Sequence, residues 1–308
     1  MNVSLILTRA VHFGACLLFF GTLVFDRYAA ARLARQQNAI TDYWKTCLSV
    51  ISWILLPIIL VSGVAWFALV AMAMSGQPLN ADILKIVWAQ TQFGSVTKIR
   101  LLFLFVAAVL ACFQKSLPSV QQLATWVQVL ATGCLLGSLA WAGHGQEDSR
   151  WHLPADVIHL LAAGVWPAGL LPLWLLLRKA RRIAQPQDWP SMALLVSRFS
   201  AISVITVLLL ALSGSVNALY LVGTFPNLIE QPYGRWLLAK IIFFCIALAV
   251  AAMNLLRLKP RLMAERLAPE KATAIAAQLQ SNVQFELVLG SGIVAVVAIL
   301  GILPPASH

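Results

Sequence analysis

Eight long apolar stretches organise the chain, each bounded by charge, Pro or Gly. They run over Val3–Phe25, Cys47–Met74, Thr97–Phe113, Val120–Ala142, Ala155–Leu177, Ser197–Gly223, Arg235–Leu258 and Val283–Leu303. Each holds at least the roughly 17 residues with which a helix can cross a bilayer. Their apolar character is continuous and does not alternate, which excludes the strands of a membrane β-barrel. The pattern predicts an all-α polytopic membrane protein with eight transmembrane helices in one bundle. The longest connections, Arg27–Thr46, Ser75–Val96 and Lys259–Asn282, read as loops or short amphipathic helices, too short for a soluble domain. The first stretch is not read as a signal peptide: it lacks a basic start, carries Arg9, and runs on to Arg27, Arg32 and Arg35.

Composition agrees. Of 308 residues, 60% are hydrophobic and 11% charged, with a mean hydropathy of +0.84. No water-soluble core could hide that much apolar surface. The net charge of +11 raises the question of nucleic acid, and the placement of the cations answers it. Alternate connections, starting after the first helix, collect fifteen of the twenty-two Lys and Arg residues. The other side receives only Arg9, Lys85, Lys98, Arg100, Arg150, Arg235 and Lys240. The positive-inside rule therefore puts both termini outside, in the periplasm of a bacterial inner membrane, with lipid rather than nucleic acid as the surroundings. Trp44 and Trp189 flank the inner helix ends and Trp88, Trp141, Trp151 and Trp236 the outer ones, as interfacial belts would. The five cysteines form no CxxC pair, and the simplest reading of each is a small buried hydrophobe.

A weak internal repeat divides the chain into a half of residues 1–150, helices 1–4, and a half of residues 151–308, helices 5–8. Phe93-Gly94 precedes Arg100, and Tyr233-Gly234 precedes Lys240, by the same spacing, each at the start of a bulky apolar run. Ser62-Gly63 and Ser213-Gly214 recur in the second and sixth helices, where small residues let backbones approach. His12 and His159 sit near the outer ends of the first and fifth. Four helices per half imply a parallel 4+4 duplication about an axis along the membrane normal.

All five histidines fall on the outer side of this topology. Ionisable groups inside a membrane are costly and are usually kept for a pathway, ligand or cofactor. Neutral imidazole binds copper, and soft sulfur selects its cuprous state. Cys16 lies one turn from His12 on the same face. Met72 and Met74 close the second helix, although residues two apart diverge unless the helix frays. His144 follows the fourth helix. Asp156, one turn before His159, could fix its tautomer from outside the ligand sphere. His152 and His308 read as solvated loop and tail residues. Asn217, Arg100, Lys240 and Glu286 complete the intramembrane polar set, Glu286 as an exit ligand or as a residue reaching the inner interface. No Walker loop or aspartyl-phosphate motif is present, so neither an enzyme nor an ATP-driven pump is expected.

Ser197–Leu262 (SRFSAISVITVLLLALSGSVNALYLVGTFPNLIEQPYGRWLLAKIIFFCIALAVAAMNLLRLKPRL) resembles the C-terminal core of the copper resistance protein D (CopD) family, a core that would span about residues 194–303. RAVHFGACLLFFG, TQFGSVTKIR, WAGHG and DVIHLLAAGVWPAGLLPL extend the resemblance over nearly the whole chain. It implies copper transport or homeostasis at the inner membrane, by uptake of periplasmic copper from a separate β-sandwich partner of the CopC type. It also implies that His12, His144 and His159 are characteristic histidines. The sharpest expectation is that His12 and His159 lie close enough on the outer side of the bundle to share one copper ion or to flank one narrow path. The competing expectation is a haem-binding or redox protein related to b-type cytochromes. It is disfavoured because few histidines lie deep in the membrane and none in its inner half.

Overall fold

The computed structural model describes residues 3–31, 33, 38–113, 121–142 and 151–306. Its helices are α1 (Val3–Tyr28), α2 (Ala39–Ser75), α3 (Ala81–Gln90), α4 (Gln92–Phe113), α5 (Gln121–Gly137), α6 (His152–Ile183), α7 (Trp189–Val222), α8 (Phe225–Glu230), α9 (Pro232–Met253), α10 (Lys259–Ala264) and α11 (Pro269–Leu300). No strand occurs among the described residues. Among the described residues, eight helical segments are long and apolar enough to cross a membrane. Only 6% of the most apolar window in the α9 segment is buried, so that face needs lipid.

Several helices outrun their apolar stretches. The apolar run marks the hydrocarbon layer, whereas caps mark the helix. At α2 the cap is Asn38, whose side chain accepts the Thr41 amide at 2.9 Å, nine residues before the hydrophobic run begins at Cys47. α11 likewise starts at Pro269 and stays helical through Asn282, a segment expected to be connection.

With eight crossings both chain ends share one face, here called the terminal face. There Arg9 of α1 lies against Gly301 just past α11, and Asn227 of α8 donates to the Ala306 carbonyl at 2.9 Å. At the opposite face Asn38 donates to Asp188 at 2.7 Å, tying the α1–α2 and α6–α7 connections together. Arg181 donates to Gln280 of α11 at 2.7 Å. The largest apolar core also lies towards this face, and it contains Trp44 and Trp189, each 1% exposed. Both were expected at the lipid interface. Trp44 instead gives its indole N–H to the buried Asp26 carboxylate at 2.8 Å and packs edge-on to Phe25. The four tryptophans assigned to the other face, Trp88, Trp141, Trp151 and Trp236, are all exposed.

α1 and α6 form the centre, packed on each other and both touching α5 and α11. Their crossing is close because Gly21 meets the backbone of Gly164 and the side chain of Ala168: a Cβ on Gly21 would fall 2.8 Å from Ala168 Cβ. Around this pair, α2 flanks α1 and α7 flanks α6.

Candidate functional site

Two histidine units lie on these flanks. In the first, His12 of α1 is 3% exposed and its Nδ1 is 3.0 Å from Ser62 Oγ on α2. In the second, His159 of α6 places Nδ1 3.0 Å from Ser213 Oγ on α7. Each serine hydroxyl also lies close to a carbonyl of its own helix, Ile58 at 2.6 Å and Leu209 at 2.5 Å. The hydroxyl proton goes to that carbonyl, so the serine oxygen accepts from the imidazole. Nδ1 then carries the ring proton and Nε2 presents its lone pair, the tautomer suited to metal. The glycine after each serine makes room for the ring: a Cβ on Gly63 would lie 3.1 Å from His12 Cε1, and one on Gly214 3.3 Å from His159 Cε1. The Ser-Gly pairs were legible as close-packing sites, but their role as imidazole partners was not.

The Nε2 sides differ. His12 Nε2 faces the buried Cys16 Sγ at 3.8 Å. Bonds of about 2.0 Å to nitrogen and 2.3 Å to sulfur would let one ion bridge that gap at an angle of roughly 120°. The His12 ring packs on Trp66, which Arg9 and Arg100 cover at 5.3 and 4.9 Å. Arg100 is itself held by Ser138, through Nε to Oγ at 3.2 Å and Nη2 to the carbonyl at 2.8 Å. His159 Nε2 instead faces Lys240 Nζ of α9 at 3.3 Å.

His12 and His159 do not share a site. His12 opens on a cavity of about 510 Å³ with Trp66, Trp88, Phe93 and Arg100. His159 opens on another, of about 530 Å³, with Asp156, Asn217, Tyr233 and Lys240. The shared-ion expectation is corrected accordingly: α1 and α6 meet through Gly21 and Gly164, and each turns its histidine outward onto its own flanking helix. Among the described residues no three His, Cys, Asp or Glu side chains cluster as a ready metal cage.

The remaining candidates fall in three places. Asp156 accepts from Asn217 Nδ2 at 2.7 Å, while Ser213, at His159 Nδ1, takes the tautomer-fixing role expected of Asp156. Met72 and Met74 end an intact α2, Met74 57% exposed, about 15 Å along the helix from Ser62. Glu286, 2% exposed, does not reach the interface: it accepts from Asn254 at 2.6 Å, and Asn254 accepts from Asn282 at 2.6 Å. Asn254 opens a π-helical turn, Asn254–Leu258, a feature frequent at functional positions. His144 and His308 lie outside the described residues. His152, expected in solvent, is 1% exposed, starts α6 and stacks on Tyr220 at 5.2 Å. Its position before an apolar helix hid this, because burial here comes from α7, far away in sequence.

The chain resembles known proteins along most of its length. The family description "Copper resistance protein D" matches residues 193–300, and "Copper resistance protein D-like, N-terminal domain" matches residues 1–153. Copper resistance protein D of Pseudomonas syringae pv. tomato is 30% identical over 298 residues, covering 94% of this chain and 93% of that protein. The chain belongs to the copper resistance protein D family. Inner membrane protein YebZ of Escherichia coli K12 is 30% identical over 181 residues, 56% of this chain and 57% of its own. Copper transport protein CutJ of Bacillus subtilis 168 is 25% identical over 269 residues, 83% of this chain and 47% of CutJ. No solved structure matches at a significant level. Family membership ties this multi-pass protein to copper.

Proposed function

We propose that this CopD-family protein moves copper across the bacterial inner membrane and catalyses no covalent reaction. Both termini face the periplasm, and copper is taken up there from a CopC-type binding protein. The observation that carries the reading is the His12–Cys16 pair. A buried imidazole nitrogen with its lone pair fixed by Ser62 stands 3.8 Å from a buried thiol, a nitrogen-and-sulfur donor pair whose soft sulfur suits cuprous copper. Met72 and Met74 would meet the ion nearer the terminal face, His144 is a further proposed ligand, and Glu286 with Asn254 would receive the ion in the other half of the membrane. The recurrence of His–Ser–Gly with a nearby cation in both halves supports a parallel 4+4 duplication. A bis-histidine haem is disfavoured, because His12 and His159 open on different cavities and face Cys16 and Lys240.

The test is anaerobic titration of purified protein with Cu(I) against a competing chelator, with metal content measured on the same samples. Wild type should hold one tight copper per chain, and His12→Ala or Cys16→Ser should weaken it by about tenfold or more. A double variant that binds copper as wild type does would sink the reading. Proteoliposomes should take up copper offered at the terminal face.

A further inference from the structure

The two imidazoles are held alike at Nδ1 and unlike at Nε2. In the N-terminal half the neighbouring cation is kept off the ring, because Arg100 is bound by Ser138 and lies over Trp66. In the C-terminal half the cation sits on the ligating nitrogen: Lys240 Nζ is 3.3 Å from His159 Nε2. An ammonium group has three donors and no acceptor, so this contact takes up the same lone pair that a copper ion would need. The tautomer set by Ser213 and Leu209 leads independently to the same assignment.

We infer that Lys240 is a tethered competitor cation. It occupies His159 Nε2 while no ion is present and is displaced when copper binds, which makes His159 a weak, quickly released station beside the tighter His12–Cys16 site. The cavity already holds a place for the displaced ammonium. Asn217 donates to Asp156 at 2.7 Å, while Asn217 Oδ1 is buried with no hydrogen-bond partner among the described residues. Asp156, Asn217, His159 and Lys240 all line the same 530 Å³ space. A swing of the lysine head from the ring towards Asn217 Oδ1 would satisfy that acceptor, keep the ammonium near a carboxylate and free Nε2. No bond forms or breaks except the coordinate one. The exchange trades one cation for another at a single nitrogen, which favours release.

This inference rests on the copper reading, and its test separates the two. In a His12→Ala/Cys16→Ser background only the C-terminal half can report, so Cu(I) is titrated anaerobically into the full-length chain against a competing chelator. Adding Lys240→Leu, which removes the cation without adding a donor atom, should tighten Cu(I) binding by about tenfold or more, and adding His159→Ala should abolish the gain. Lys240→Arg, which keeps a fixed cation, should stay near the parent. An unchanged affinity for Lys240→Leu would overturn the inference. So would a weakened one, which would make the lysine amine a ligand, or a gain that survives His159→Ala. Lys240→Gln serves if the leucine variant does not fold, and in the otherwise wild-type chain either substitution should raise tight copper from one equivalent to two. Failure at His12 and Cys16 is read separately, from wild type against the double variant.

Discussion

Ser62 and Ser213 show how much a single hydroxyl decides. Each gives its proton to its own helix and receives one from an imidazole on the neighbouring helix, which fixes which ring nitrogen can bind metal. Ser62→Ala should leave the bundle folded yet lower copper affinity at His12 by about tenfold, the size typical of losing a residue that orients a ligand. Chelator competition measures it, and unchanged affinity would show that the ring needs no such anchor. Glu286 makes a second residue-scale case. Glu286→Gln keeps an acceptor for Asn254, whereas Glu286→Leu strands a buried amide and should cost about 1–3 kcal/mol, seen as a lower Tm in detergent. Equal Tm values for the two variants would remove Glu286 from the structural account.

Helices are fixed by their ends and by the points where they cross. Asn38 caps α2 and also donates to Asp188, so it joins two connections that lie 150 positions apart in sequence. Asn38→Ala should destabilise by about 1 kcal/mol from the cap alone and by more once the Asp188 bond is counted. Thermal unfolding beside Thr46→Ala, whose hydroxyl only reaches its own helix at Asp42, gives the control. At the α1–α6 crossing, Gly21→Leu would drive a side chain into the backbone of Gly164 and into Ala168. That variant should fail to elute as a single species from size exclusion. A well-behaved Gly21→Leu protein would mean that the two central helices can separate without penalty.

For the whole molecule, orientation is the property that most needs a direct measurement. With the native cysteines replaced, Gln77→Cys, in the exposed turn after α2, should react with an impermeant thiol reagent in intact spheroplasts. Glu270→Cys, exposed at the start of α11, should react only after the membrane is opened. The reverse pattern would invert the topology and with it the assignment of the terminal face to the periplasm.

The number and type of the crossing helices, and the family, were legible in the residues themselves, because a bilayer writes its thickness into the chain as runs of apolar residues. Helix limits were less legible, since hydropathy stops at the lipid boundary while α2 and α11 continue on caps and on contacts beyond it. His12 with Cys16 could be read from one helix, because residues four apart share a face. Which way His12 and His159 point relative to each other could not. That depends on the rotation of α1 against α6, set by the Gly21–Gly164 contact, and on the arrival of Ser62, Ser213 and Lys240 from helices distant in sequence. The burial of His152 under Tyr220 and of Trp44 on Asp26 has the same cause. Sequence distance carries no record of which faces meet across a bundle, so the chain by itself named the chemically able residues and only tertiary packing sorted them into two cavities with unlike neighbours.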